Sequence, residues 1–254
     1  ADLRAAFGPV IDRLAKNGID LTKRGIEVSP IAHYHMGGVR VDVRMATAVP
    51  GLYAAGEAVG GANGANRLSG NALSEAFVFG ERAGRFAAED VAKLEPGWSE
   101  KAAAAALDEI VASRNVSATE SGPGLSGMLV ELQELMWQDV GLVRTQGQLD
   151  SALARVREMR AEIGERPGES DHRFALSMQD WFDMRNSLMI AETIIIGAQI
   201  RTESRGAHQR EDFPLTNPSL EHNLVTRLDG DGFAVEPVAL VAKSYDLVPL
   251  EAAE

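Results

Sequence analysis

The sequence predicts a short α/β segment that runs into an all-α helical bundle and then a β-hairpin tail. Three observations carry this reading. Residues 51–84 hold an apolar stretch, Leu52-Tyr53-Ala54-Ala55, then Gly56-Glu57, a glycine-dense turn with Gly60, Gly61, Gly64 and Gly70, and an amphipathic run from Asn71. From about 99 to 204, apolar residues recur at i, i+3/i+4 and i+7, the period of a helix with one buried face. Further on, Leu224-Val225-Thr226-Arg227 and Phe233-Ala234-Val235 flank Asp229-Gly230-Asp231-Gly232, the pattern of a hairpin.

Composition limits the function classes. The 254 residues are 45% hydrophobic and 24% charged, an ordinary globular mixture with enough length for one large or two modest cores. The net charge of −12 argues against a nucleic-acid or anionic-membrane surface. Without cysteine, this chain can form no disulfide, supply no thiolate nucleophile and hold no iron–sulfur cluster by itself. The longest apolar candidate, around Ile194-Ile195-Ile196, is too short to span a bilayer. The opening ADLRAAFGPV lacks a basic–apolar–small signal pattern, so a cytoplasmic protein that meets a membrane only through partners is expected.

In order along the chain, residues 2–16 read as a helix with Asp2 at its N-cap, an apolar stripe of Leu3, Phe7, Val10, Ile11 and Leu14, and a stop at Gly18. No unit of strand, GxGxxG, helix and later acidic residue, the usual opening of a dinucleotide-binding domain, precedes or follows it. Residues 26–42 carry His33-Tyr34-His35-Met36-Gly37-Gly38 and an alternating strand Val39-Arg40-Val41-Asp42. Spacing alone does not say which of His33 and His35 faces a site, and no further ligands stand nearby to make a metal centre.

The stretch 51–84 is the chemical centre of the chain. A strand, a glycine turn and a helix start at Asn71 form a cradle for an anionic or electron-rich group, since glycines admit a close approach and first-turn N–H groups supply donors and partial positive charge. Glu57 stands on one lip and Asn66-Arg67 on the other. The helix from 71 to 94 should carry Leu73, Phe77, Val78 and Phe79 toward a core and end at Pro96-Gly97. Helices are then expected over Ser99–Ser113, Gly124–Val140, Gln148–Ile163 and Asp180–Arg201, with a loop at Pro167-Gly168-Glu169-Ser170, giving a bundle of three or four. Past Arg205-Gly206-Ala207-His208-Gln209-Arg210 the chain turns irregular through Pro214 and Pro218, and from Ser244 it has no strong pattern.

HYHMGG, then AGE, GANRLSGNAL and VFG, then ESRGAHQREDFP after a helical bundle, form an ordered set. The set resembles the flavoprotein subunits of succinate dehydrogenase and fumarate reductase, with L-aspartate oxidase a close relative. The resemblance runs from residue 19 to about 240. It implies a C-terminal part of the family's polypeptide: 1–25 the end of the capping domain, 26–95 the closing part of the FAD-binding domain, 98–210 the helical bundle domain and 211–254 a hairpin and tail. The family's N-terminal half, with its adenosine-diphosphate site and the proton-carrying arginine, would be a partner of these residues.

The same resemblance assigns roles. Glu57 is similar to the carboxylate that accepts from flavin ribityl hydroxyls, and Asn71, Ala72 and Leu73 to the helix start facing the flavin's pyrimidine edge. Many relatives have serine where Ala72 stands, so only backbone donors are expected there. His33 and Arg67 resemble the pair that holds a dicarboxylate, Arg67 through a bidentate grip. No catalytic residue is expected within this chain. ESRGAHQREDFP resembles a segment near partner contacts, and its charges suit a solvated turn equally well. The expectation is an FAD-dependent oxidoreductase interconverting succinate and fumarate or a similar dicarboxylate, partnered by an iron–sulfur subunit. An L-aspartate oxidase-type enzyme is the alternative, and a non-catalytic scaffold remnant of the flavoprotein fold is the rival from another class.

Overall fold

A computed structural model describes residues 2–29, 31–93, 99–112, 124–164 and 176–240. Two compact units result, 1–35 and 36–254.

In the first unit, helix α1 (Asp2–Ala15) follows from the predicted period but is not straight. Phe7 leaves helical geometry (φ −126°, ψ 20°) two residues before Pro9, where the proline ring and missing N–H disturb the preceding turn. Gly18 ends the helix in the left-handed region, with Ile19 N–H donating to the Leu14 carbonyl at 3.0 Å. Ile11 is buried, whereas Phe7 and Val10 of the same expected stripe are more than half exposed. His33 and His35 lie beyond, both exposed on irregular backbone.

The second unit opens on a close backbone contact. Val39 N–H donates to the Ala58 carbonyl (2.8 Å) and Gly60 N–H to the Val39 carbonyl (3.1 Å), a single parallel bridge. A Cβ on Gly38 would stand 2.5 Å from the Ala58 oxygen, so the Gly-Gly turn lies against backbone, and glycine is required there. The strands expected at 39–42 and 52–55 appear as isolated bridges, Val39 with Val59 and Ala46 with Tyr53. Strand pairs this short need further strands to propagate a sheet. Helix α2 (Asn71–Val91) holds the second of them in place. Tyr53 Oη and Arg44 Nη2 both donate to Asp90 near its end (2.6 and 2.7 Å), and the Arg44 guanidinium covers the Phe86 ring at 4.1 Å.

On α2 the expected inward face does not meet a core. Leu73 and Phe77 are 70% and 75% exposed and Val78 is exposed as well; the buried residue is Glu75. Apolar periodicity marks a face suited to burial without saying which residues cover it. The Pro96-Gly97 and Pro167–Ser170 breaks and the tail from Ser244 lie outside the described residues.

Helix α3 (Glu100–Ala112) starts on a Ser99 hydroxyl cap, accepting from Ala102 N–H at 3.1 Å. The bundle proper is α4 (Leu125–Gln138), α5 (Gln146–Ile163) and α6 (Leu176–Ile200). Thr145 and Gln148 form a reciprocal capping box that fixes the start of α5. Met128, Leu132, Leu149, Val156, Met184, Leu188, Ile195 and Ala198 make one continuous core, joined by Val140, Ala152, Met159 and Ala191. Leu129 of α4, next to buried Met128, is exposed. Between α4 and α5, strand β1 (Val143–Arg144) pairs in parallel with β2 (Gln209–Arg210), which ties the segment after α6 back to the bundle. Strands β3 (His222–Asp229) and β4 (Gly232–Ala239) form the expected antiparallel hairpin, turning at Gly230 in the left-handed region.

Candidate functional site

Three local features build the site. The short 3-10 turn Gly56–Ala58 seats buried Gly56 against Ala76 of α2 and leaves Glu57 exposed on the lip. A loop over 60–70 follows, latched by Asn63 Nδ2 donating to buried Glu75 of α2 at 2.8 Å. Gly70 (φ 93°) then hands the chain to α2. Gly70 supplies no side-chain cap; in the first turn Asn71 N–H donates to the Leu68 carbonyl (3.3 Å) and Leu73 N–H to the Gly70 carbonyl (3.2 Å). Around Gly64 and Gly70 the space is open, and beside Gly61 the nearest group is the Asn223 amide of β3 at 3.9 Å.

Sequence-predicted residues fall as follows. Asn71 and Leu73 are exposed and Ala72 half-buried at the α2 start, and Glu57 stands upstream on the same unit. Arg67 is half-buried on the loop, with Nη1 donating to the Leu68 carbonyl at 3.3 Å. His33 belongs to the first unit and is exposed. Among the described residues no three His, Asp or Glu side chains gather in a way that could hold a metal ion.

The segment 201–213 is not the solvated turn that its composition allowed. Glu203 is fully buried and accepts from Arg201 (2.8 Å), Arg205 (2.9 Å) and the Asn217 N–H (2.8 Å). Burial by itself would raise its pKa; these donors overturn that and hold it down at about 2. Arg210, also buried, grips Asp212 in bidentate fashion (2.7 Å to each oxygen) and donates to the Ala198 carbonyl at the end of α6 and to Gln146 at the start of α5. That grip keeps Asp212 well below the usual carboxylate range. His208 sits between Arg144 Nη2 (3.1 Å from Nδ1) and the Arg201 carbonyl (2.9 Å from Nε2). Arg144 can only donate, so Nδ1 accepts and Nε2 carries the proton. Burial, then the nearby Arg144 charge, push the imidazole down to about 4, which keeps it neutral.

This segment also reaches the glycine loop. Arg205 and His208 exchange backbone hydrogen bonds (2.8 and 3.0 Å), closing a tight turn whose Ala207 N–H donates to the Ala65 carbonyl at 2.9 Å. Gly206 (φ 59°) presses on the same residue: a Cβ there would lie 2.5 Å from the Ala65 oxygen. Sequence reasoning missed this contact and the Asn63–Glu75 latch. The only available signals were a glycine in ESRGAHQR and a lone glutamate early in a helix, neither of which names its partner.

Comparison with known proteins gives the family. Residues 2–73 match the family described as FAD binding domain, and residues 130–245 that described as Fumarate reductase flavoprotein C-term. The fumarate reductase flavoprotein subunit of Mycobacterium tuberculosis is 36% identical over 244 residues, 91% of this chain and 42% of that protein. L-aspartate oxidase of Pseudomonas aeruginosa is 35% identical over 236 residues, 90% of this chain and 40% of that protein. Among solved structures, Mycobacterium smegmatis Sdh1 in complex with UQ1 superposes with a TM-score of 0.77 at 32% identity, covering 95% of this chain and 41% of that one. Fold and matches together define an FAD-binding flavoprotein segment. The chain belongs to the flavoprotein family of succinate dehydrogenase and fumarate reductase, which includes L-aspartate oxidase, and spans about 40% of the length of the relatives it matches.

The residues present fit part of a flavin site. The space beside Gly64 and Gly70 is open, and the α2 start, which has no side-chain cap, offers the positive end of its helix dipole to an electron-rich edge. Exposed Glu57 has acceptor oxygens at the opposite lip.

Proposed function

We propose that this chain supplies one part of the active site of an FAD-dependent oxidoreductase acting on a C4 dicarboxylate of the succinate–fumarate type. The observation that carries the reading is one loop, 60–70, that places Arg67 immediately before an uncapped helix start. FAD, when bound, supplies hydride acceptance or donation at its N5. Glu57 would accept from the ribityl hydroxyls, and the backbone of Asn71, Ala72 and Leu73 would face the pyrimidine edge. Arg67 would grip one carboxylate through two parallel N–H donors, and His33 is assigned to dicarboxylate binding by the resemblance alone. Fixing that carboxylate restricts the substrate to poses in which the neighbouring carbons face the flavin. Acid–base chemistry is left to residues outside this chain.

In this reading, 1–25 closes the capping domain, 26–95 completes the FAD-binding domain, 98–210 is the helical domain and 211–254 the hairpin and tail. The partners are the N-terminal half of the flavoprotein and an iron–sulfur subunit. No described helix is long and apolar enough to cross a membrane, which suits a cytoplasmic position with membrane contact made by partners. A second reading, L-aspartate oxidation, is favoured by the identity to the P. aeruginosa enzyme over 90% of this chain. A non-catalytic scaffold is disfavoured, since a scaffold has no use for Arg67 and Glu57 around an open glycine loop. Turnover of the native holoenzyme with succinate, fumarate and L-aspartate separates the three. We expect succinate or fumarate to exceed L-aspartate in kcat/KM; the reverse order would establish the second reading, and no flavin-dependent turnover the third.

A further inference from the structure

We propose that the turn at residues 205–208 is a positioning element for Arg67, so that the helical bundle sets the place of the dicarboxylate grip. The inference rests on the reading of Arg67 as that grip. Past the Gly60–Val39 bridge that opens it, the loop carrying Arg67 is held at two further points. One is the Asn63–Glu75 hydrogen bond to α2. The other, two residues before Arg67, is Ala65, whose carbonyl accepts from Ala207 N–H at 2.9 Å while Gly206 packs against the same carbonyl.

The second anchor is rigid for stated reasons. Arg205 is tied to buried Glu203 through Nε and Nη2 (2.9 and 3.1 Å). His208 is held at both ring nitrogens, by Arg144 from β1 and by the Arg201 carbonyl just past α6. Arg210, two residues on, is bonded to the end of α6 and the start of α5. The turn therefore cannot shift without disturbing two bundle helices, and its tip meets the loop through backbone atoms, which have no rotamers to absorb an error. A displacement on the order of 1 Å at a substrate-holding group can cost about a hundredfold, so an anchor of this stiffness next to Arg67 has kinetic value. Gly206 and Ala207 touch neither substrate nor cofactor; they act through Ala65.

Gly206→Ala in the native holoenzyme is the direct test, with malonate as the probe, a dicarboxylate that cannot be oxidised to an alkene. The added methyl group must push Ala65 away, since only 2.5 Å separates it from the oxygen. Malonate affinity should weaken about tenfold or more, with FAD content unchanged. Leu188→Ala, in the bundle core, should lower Tm while leaving malonate affinity intact, which separates positioning from general destabilisation. A second arm needs no variant: malonate should slow amide hydrogen exchange in 205–208 as well as in 61–70 of the unchanged enzyme. If Arg67→Lys weakens malonate binding while Gly206→Ala stays within about twofold, or if malonate protects 61–70 and not 205–208, the positioning proposal is wrong and the grip stands. If Arg67→Lys leaves malonate affinity unchanged and 61–70 gains no protection, the reading of Arg67 itself falls.

Discussion

His208 shows how a residue acquires a role that its identity does not announce. In the sequence it is one of five histidines; in the fold it is a neutral imidazole locked in one tautomer between Arg144 and the Arg201 carbonyl, with Arg210 also near. Its pKa lies near 4 in the folded protein against 6.5 for an ordinary histidine. The unfolded chain therefore binds more protons between those values, and stability falls as pH drops from about 6.5 to 4, by at most about 3 kcal/mol from this group. Glu203, held near 2 from 4.5, adds a further loss below pH 4.5. His208→Gln should flatten the fall in Tm between pH 6.5 and 5, and an unaltered slope in that variant would mean that His208 does not carry it. The motif residues were legible one by one, because glycine, arginine and histidine in a fixed order are specific. What the order did not reveal was burial. Glu203 and Arg210 looked like surface charge because composition says nothing of which carbonyls and carboxylates will surround them.

Elements divide by how local their causes are. The bundle helices were legible to within two residues, except for the start of α6 at Leu176 rather than Asp180, because a 3.6-residue period is written within each helix and its partner faces are supplied by neighbours in the same stretch. Glu192 was not, since an acidic residue inside α6 gives no hint that Arg157 and Arg160 of α5 will hold it at 2.9 and 2.6 Å. Helix α2 was legible in extent, while its exposed Leu73 and Phe77 show that extent and burial are separate questions. Its N-terminus carries a prediction of its own. Ala72 can offer only its backbone N–H, so the position would act through the partial charge of the helix. Ala72→Pro removes the donor, and Ala72→Asp places negative charge at an edge that becomes more negative on reduction. Both should lower the FAD midpoint potential, whereas Asp should leave Tm equal or higher because an acidic residue suits a first turn. Ala72→Ser should leave the potential equal or slightly higher. Potentiometric titration of the holoenzyme variants decides; equal midpoints for Pro, Asp and the unchanged enzyme would place the flavin edge elsewhere.

At the scale of the whole molecule, one chain of contacts joins distant stretches of sequence. The glycine pair at 38 and 60 brings residue 39 to the cradle, Asn63–Glu75 holds the loop to α2, and Gly206-Ala207 holds it to the bundle. None of these partners could be foreseen: glycines mark where a close approach is allowed without naming what approaches, and the approach of 206 to 65 spans some 140 residues. All three converge on the loop that carries Arg67, which makes that side chain the point to test. The most direct measurement is dicarboxylate turnover by the Arg67→Lys holoenzyme, with flavin content determined on the same sample. Lysine keeps the charge and loses the planar two-donor fork, and each charge-assisted hydrogen bond of about 1.5–3 kcal/mol is worth one or two decades in rate. A dicarboxylate grip at Arg67 predicts a loss of kcat/KM of about a hundredfold or more with FAD retained; turnover within about threefold of the unchanged enzyme would contradict it.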